Sequence, residues 1–444
     1  MAAVYDASGG GSGTIMWRTG ASARPADVTH PLPAVVRALP VGAVECAGMR
    51  IGVFVFAALM MLTGGSALSE SADPARPRAV SSSQPIVIAH RGASGHRPEH
   101  TLESYRLAIE MGADFIEPDL VSTRDGQLVA RHEPNITATT DVAQRPEFAA
   151  RRTTRRIDGV EETGWFASDF TLAELRALRA VQPREYRSKE FDGRYPVPTL
   201  AEIIALAKTE SAARGRTIGI YPETKHPTWH CEQGLALEPL LLAALQDAGW
   251  TTREAPVYIQ SFEAGNLQWL RARTGVRLIQ LIDGSGLTAD GQALPARRWQ
   301  ASGGCRLFEA QLPPTDFSTA SSFVAIARYA DGIGPWKRHL IGARATSTEP
   351  VKAESMLRTT PPTHFVELAH AAGLAVHPWT FRNEPQHLAV DYGGDPAAEY
   401  LQFYALGVDG VFSDFPDTAL MARGRFLRGA ARTASPTPPA PASR

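Results

Sequence analysis

The sequence predicts an α/β fold, a (β/α)8 TIM barrel with a small insertion after the second strand. Three observations carry this. Between about 85 and 427, short apolar runs alternate with amphipathic stretches, the pattern of repeated strand–helix units on a parallel sheet covered on both faces. Eight runs read as main strands, the number that closes a barrel. Polar and charged residues stand at the ends of several of them, where barrel sites are built. A doubly wound open sheet is the alternative.

The elements follow in order. Ile86 to His90, IVIAH, is a short buried strand. Thr101 to Gly112 is a helix, with Leu102, Tyr105, Ala108 and Ile109 at helical spacing and Gly112 as its stop. Asp114 to Leu120 is the second strand, and Arg124-Asp125-Gly126-Gln127 is a turn before the extended piece LVARH, 128–132. Thr171 to Leu178 and Thr199 to Ala213 are helices opened by threonine caps. Thr217 to Glu223 is the third strand and Leu235 to Ala248 a helix. VYIQSF (257–262), VRLIQLI (276–282), YADGIG (329–334), LAVHPWT (374–380) and VDGVFSD (408–414) complete the eight. Two stretches interrupt the repeat: 135–198, polar and turn-rich, and 284–318, with several Gly and Pro.

The ends have a different character. Residues 1–48 are Gly-, Ala-, Ser- and Pro-rich, a disordered or untranslated extension. Met49-Arg50 precede an apolar run and then small residues, the pattern of a secretory signal peptide over 49–70. The run is too short for a spanning helix, which needs about 20 apolar residues; an uncleaved short anchor is the alternative. Residues 71–84 read as a linker, 85–427 as the barrel domain, and 428–444 as a disordered tail. The leader places the mature protein in the periplasm or outside the cell.

Over 444 residues the formal net charge is −1, so the electrostatic excess that dominates nucleic-acid binding is absent. Cys46, Cys231 and Cys305 lack the spacing of a zinc site. Without the leader, Cys231 and Cys305 remain; a disulfide between them would suit an oxidising compartment, and two unpaired thiols are the other reading.

The chemistry is concentrated at strand ends. Glu117 and Asp119 are two apart, so in a strand both point into one space. Two close carboxylates call for a cation, and a hard one, Ca²⁺ or Mg²⁺, suits oxygen ligands. Glu223 ends another strand and supplies a third carboxylate, with Lys225 two residues on as a point charge for a phosphate oxygen. His90 and His132 end strand-like segments and have the pKa range of a general acid and base. Arg91 offers a planar fork for phosphate oxygens. Trp379 offers an apolar wall beside a small polar ligand, or else packs between barrel and helices, and Gln260, Phe262, His377 and Arg382 are softer signals. His96 and His100 read as structural, or as supporting the site residues from behind. Glu99 is expected to bond backbone at the helix start, with a rim role the alternative, and Asp414 to cap the helix entered through Pro416 rather than touch substrate.

The stretches AHRGASGHRPEHTLESYRLAIEMGADFIEPDL (89–120), VARHEPNITATTDVA (129–143), YPETK (221–225), ADGIGP (330–335), VHPWTFR (376–382) and GVFSDFPD (410–417) resemble, in order, the glycerophosphodiester phosphodiesterase family, most nearly its secreted or periplasmic branch. The resemblance implies a TIM barrel in which His90 and His132 are the acid/base pair. It implies that Arg91 and Lys225 meet the phosphate and that Glu117, Asp119 and Glu223 hold a divalent cation, Ca²⁺ foremost and Mg²⁺ next. The implied reaction is hydrolysis of a small glycerophosphodiester to sn-glycerol 3-phosphate and an alcohol. Alternatives are phospholipase D-like action on lysophospholipids and a non-catalytic phosphodiester-binding barrel. Two positions depart from the pattern: Glu133 stands where Asp is usual, and Ala138 where Arg precedes Thr-Thr.

Overall fold

The computed structural model of the chain describes residues 84–434, apart from 289, 296–304, 309–312 and 350. The extension, the leader and nearly all of the linker lie outside the described residues. The barrel strands are Ile86–His90; Phe115–Glu117 continued by Asp119–Ser122; Gly219–Ile220 continued by Glu223–Thr224; Tyr258–Ser261; Arg277–Ile282; Gly332–Pro335; Ala375–Val376; and Gly410–Ser413. Their neighbours pair in parallel. A parallel bridge between Phe381 and Ser413 joins the seventh strand's end to the eighth, and the eighth pairs with the first. The sheet therefore closes, which excludes the open doubly wound alternative.

The second and third strands each break at a proline, Pro118 and Pro222, which have no N–H to donate to the ladder. The carbonyls still work: Pro118 accepts from Glu223 N at 2.9 Å, and Pro222 from Gln260 N at 2.9 Å. Pairing thus resumes beyond each proline and carries the strands out to the rim.

Period-two alternation sorts the side chains. Val87 and Ala89 join the large core between strands and helices, with Ile116, Ile259 and Leu278. Ile88, Tyr221, Ile279 and Phe412, with Ile86, Phe115 and Tyr258, form a separate cluster that fills the barrel. His377 belongs with it: its Nδ1 is 2.8 Å from the Tyr221 hydroxyl, below the rim. Since Ile86 and Ile88 point inward, so does His90; since Phe115 does, so does Glu117.

Helix Leu102–Met111 begins where Thr101 accepts from Ser104 N and ends where Gly112 takes φ 109°, a left-handed conformation that glycine adopts without strain. Thr171 and Thr199 form capping boxes with Glu174 and Glu202. LVARH is no barrel strand. Leu128–Ala130 runs antiparallel to Asp119–Ser122 as a hairpin. The insertion at 135–198 is ordered and has its own core, in which Ile136, Phe148, Trp165 and Phe170 pack on Val121 and Val129. It contains a hairpin, Thr153–Ile157 with Val160–Gly164. The hairpin Ile341–Ala345 with Leu357–Pro362 has no counterpart among the expected elements. The final helix, Pro416–Ala434, runs past residue 427, where the sequence reading ended the domain.

Candidate active site

Strand register assembles the rim. His90 stands opposite Glu117, Asp119 opposite Glu223, and Glu223 opposite Gln260. Glu117, Asp119 and Glu223 each present an oxygen within 4.8 Å of the others, and all three are buried. Burial pushes the Glu117 carboxyl well up, and Asp119 and Glu223 push it further. Burial also lifts Glu223, to about 8, against the pull of Lys225. Asp119 goes the other way: burial is outweighed by Lys225 and His100, which hold it well below the usual carboxylate range. Three oxygen donors whose mutual repulsion is only partly offset fit a hard divalent cation. Gln260 sits beside them, its Nε2 donating to Glu117 Oε1 at 3.0 Å and its buried Oε1 without a hydrogen-bond partner among the described residues.

Arg91 adopts φ 61° at the turn after the first strand. Its N–H donates to Glu117 Oε2 at 2.8 Å, its Nη1 to Glu99 Oε2 at 3.1 Å, and its Nε lies 3.5 Å from Asp119 Oδ2. The last contact is too long to satisfy Nε, so a donor remains for an oxyanion. Glu99 therefore does not serve the helix start as expected; Thr101 does that, and Glu99 pairs with Arg91. His100 is buried, with Nε2 2.8 Å from Asp119 Oδ2 and Nδ1 2.8 Å from the Tyr105 hydroxyl. Lys225 Nζ lies 3.0 Å from Glu223 Oε1.

The two histidines flank this group and are braced by different means. His90 Nδ1 is 2.6 Å from Asp414 Oδ1. Asp414 Oδ2 accepts from Arg187 Nη2 at 2.6 Å and Arg382 Nε at 3.0 Å. The expected capping role of Asp414 is thus corrected: Ser413 Oγ accepts from Phe415 N at the helix entry, and Asp414 faces the site. Arg187 comes from the insertion, so that segment reaches across to the first histidine. His132 Nδ1 is 2.9 Å from Glu133 Oε1, and Glu133 Oε2 is 3.0 Å from His226 Nε2. The longer Glu at this position spans two histidines. Burial, then Arg91, lowers His90 to about 3; burial, then Arg91 and Lys225, lowers His132 to about 4. The side chains of His90 and His132 keep 13% and 15% of their exposure, enough for contact with a ligand at the rim.

Trp379 is half-buried; its Nε1 donates to Gly334 O at 2.8 Å and its ring meets Phe262 edge-on at 5.9 Å. The loop carrying Ala138 is held from beneath by Arg131, whose Nη1 donates to Thr139 O at 3.0 Å. The rim gathers the residues given site roles from the sequence: His90, Arg91, Glu117, Asp119, His132, Glu223, Lys225 and Trp379; His377, a softer signal, lies below it. Asp414, Gln260 and His226 add to it. Gln260 was among the softer signals and Asp414 was read as a cap; nothing local marked His226.

Buried carboxylates, an arginine with a spare donor and two braced imidazoles at a barrel rim are the equipment of a phosphoric diester hydrolase. Residues 90–418 match the model of the glycerophosphoryl diester phosphodiesterase family, and the chain belongs to that family. A glycerophosphodiester phosphodiesterase of Arabidopsis thaliana is 34% identical over 362 residues, 78% of this chain and 88% of that one. One from Haemophilus influenzae is 27% identical over 365 residues, 78% and 91% of the two chains. A phosphodiesterase structure from Oleispira antarctica, in complex with the product sn-glycerol-3-phosphate, aligns at 19% identity and a TM-score of 0.47, covering 76% of this chain and 96% of that one. The protein is an enzyme with glycerophosphodiester phosphodiesterase activity.

Proposed function

We propose that the enzyme hydrolyses glycerophosphodiesters to sn-glycerol 3-phosphate and an alcohol with a divalent cation and two histidines, in glycerophospholipid and glycerol metabolism. The observation that carries the reading is the convergence of Glu117, Asp119 and Glu223 between two histidines, each with a carboxylate at Nδ1. Glu117, Asp119 and Glu223 would hold the cation, Ca²⁺ before Mg²⁺. Bound there, it supplies Lewis-acid neutralisation of charge on the phosphoryl oxygens.

Arg91 places its spare donor on a non-bridging oxygen, and Lys225 adds a second positive charge. Trp379 walls the glycerol or headgroup side. A carboxylate at Nδ1 leaves Nε2 of each histidine for proton transfer. As found, burial holds both rings neutral, the form that accepts a proton. One takes the proton of the attacking hydroxyl, either that of water or that of the substrate's own glycerol; in the second case a cyclic phosphate forms, which water then opens to sn-glycerol 3-phosphate. The anionic substrate favours the imidazolium form of the other, which protonates the leaving alkoxide.

Export to the periplasm or beyond is part of the same proposal. Cys231 and Cys305 form a disulfide, with Cα atoms 5.2 Å apart, and such bonds persist in oxidising compartments.

The test is alcohol release from glycerophosphocholine after exhaustive chelation, then on adding back Ca²⁺ or Mg²⁺. Activity is expected to vanish with chelator and to return with the cation; full activity in chelator would sink the metal part of the proposal. Lysophosphatidylcholine in parallel separates the phospholipase D-like alternative.

A further inference from the structure

The contacts of His132 do not stop at Glu133. His132 Nδ1 is 2.9 Å from Glu133 Oε1, Glu133 Oε2 is 3.0 Å from His226 Nε2, and His226 Nδ1 is 2.6 Å from Asp158 Oδ2. Imidazole and carboxylate alternate along a line from the rim to the insertion. We infer that Asp158 and His226 are positioning residues for His132: through Glu133 they keep a proton on its Nδ1 and leave Nε2 for the reaction. The inference rests on the acid/base reading of His132.

Each link is built locally. Asp158 and Gly159 form the turn between Thr153–Ile157 and Val160–Gly164, both at positive φ, 46° and 83°. This is the Asp-Gly pair of a tight hairpin turn, and it aims the Asp158 carboxylate back at the barrel. His226 also takes positive φ, 44°, before helix Pro227–Glu232, three residues beyond Glu223. A bulky side chain held there is costly and persists only where its surroundings demand it. Here the demand is two carboxylates on one ring. Although burial works against the charge, Asp158 and Glu133 raise His226 to about 10, so it stays an imidazolium at neutral pH. The other titratable groups around it are Glu162, Glu263 and His230. A fixed cation on Glu133 Oε2 keeps that carboxylate ionised, and an ionised carboxylate at Nδ1 fixes the tautomer of a catalytic histidine.

The mature enzyme with its cation tests this by nitrogen-15 NMR of the histidine rings and by kcat and KM across pH. Wild-type His132 is expected to carry its proton on Nδ1. In Asp158→Asn, whose new residue tolerates positive φ, kcat should fall roughly tenfold with KM nearly unchanged. The pH limb set by His132 should move lower, because its imidazolium loses the support of an anchored anion. His226→Gln should likewise lower kcat. A merely structural role would lower the melting temperature and leave the pH profile of the folded fraction in place. That result, or wild-type His132 protonated on Nε2, would overturn the inference. Full activity of His132→Ala would instead sink the acid/base reading, so the two failures are distinct.

Discussion

The two halves of the rim are built on different principles. The carboxylate half, Glu117, Asp119, Glu223 and Gln260, stands on neighbouring barrel strands and is set by register, one residue opposite the next. The histidine half is oriented by charge contacts: His90 by the distant Asp414 with Arg187 and Arg382, His132 by its neighbour Glu133, itself held by the more distant His226 and Asp158. A strand ladder fixes its side chains through the backbone, so no single side chain is needed for alignment. His132, on a loop, has only its partners; His90 ends a strand, but its ring is oriented by Asp414. The second half should therefore be fragile to substitutions some distance from the reacting atoms, and the first should not.

The largest expected effect sharpens the contrast at its centre. His90→Ala and His132→Ala should each lower kcat by about 10² to 10⁴ while cation affinity, measured by calorimetry, stays near wild type. Near-full activity in both would remove the histidines from the mechanism.

A smaller effect divides the halves directly. Asp414→Asn should lower kcat by roughly 10- to 100-fold with the cation still bound, since the ring it orients loses its charged partner. Gln260→Leu should instead weaken cation binding, with kcat largely recovered at saturating metal. If the two variants behaved alike, the division between the halves would fail.

The smallest effect is on stability and concerns the loop after the first strand. Burial alone would raise the Glu99 carboxyl, but Arg91 outweighs it and brings it to about 2, against an ordinary value of 4.5. Its folded-state pKa is depressed, so its contribution is complete above about pH 4.5 and is lost as pH falls toward 2. Glu99→Gln should flatten the fall of melting temperature over that window and leave the alkaline side unchanged. An unchanged acid limb would deny Glu99 this role.

Much of the fold was legible because it rests on local patterns. Apolar runs such as IVIAH and VRLIQLI, threonine caps at Thr171 and Thr199, and the stop at Gly112 are short-range signals, and the structure keeps them. The hairpin Ile341–Ala345 with Leu357–Pro362 was not legible. Its strands lie either side of a polar stretch, without the close turn signal that marks Asp158-Gly159. For Glu99 the rim alternative held, and the cap readings of Glu99 and Asp414 failed for a related reason: beside a helix start, a carboxylate looks like a cap until the cation that claims it, Arg91 or Arg187, is in place.

By itself the sequence determined the strand–helix alternation, the parity that turns Glu117 and Asp119 to one side, and the residue types gathered at strand ends. These follow from period two and period 3.6, which need no partner outside the segment. Only the tertiary structure decided that the sheet closes, that Cys231 bonds Cys305, and that Asp414 and Glu133 stand behind the two histidines. The first depends on register summed around the whole sheet. The other two join residues with no periodic relation, such as His90 and Asp414, 324 positions apart, which only the closed barrel brings within hydrogen-bonding distance.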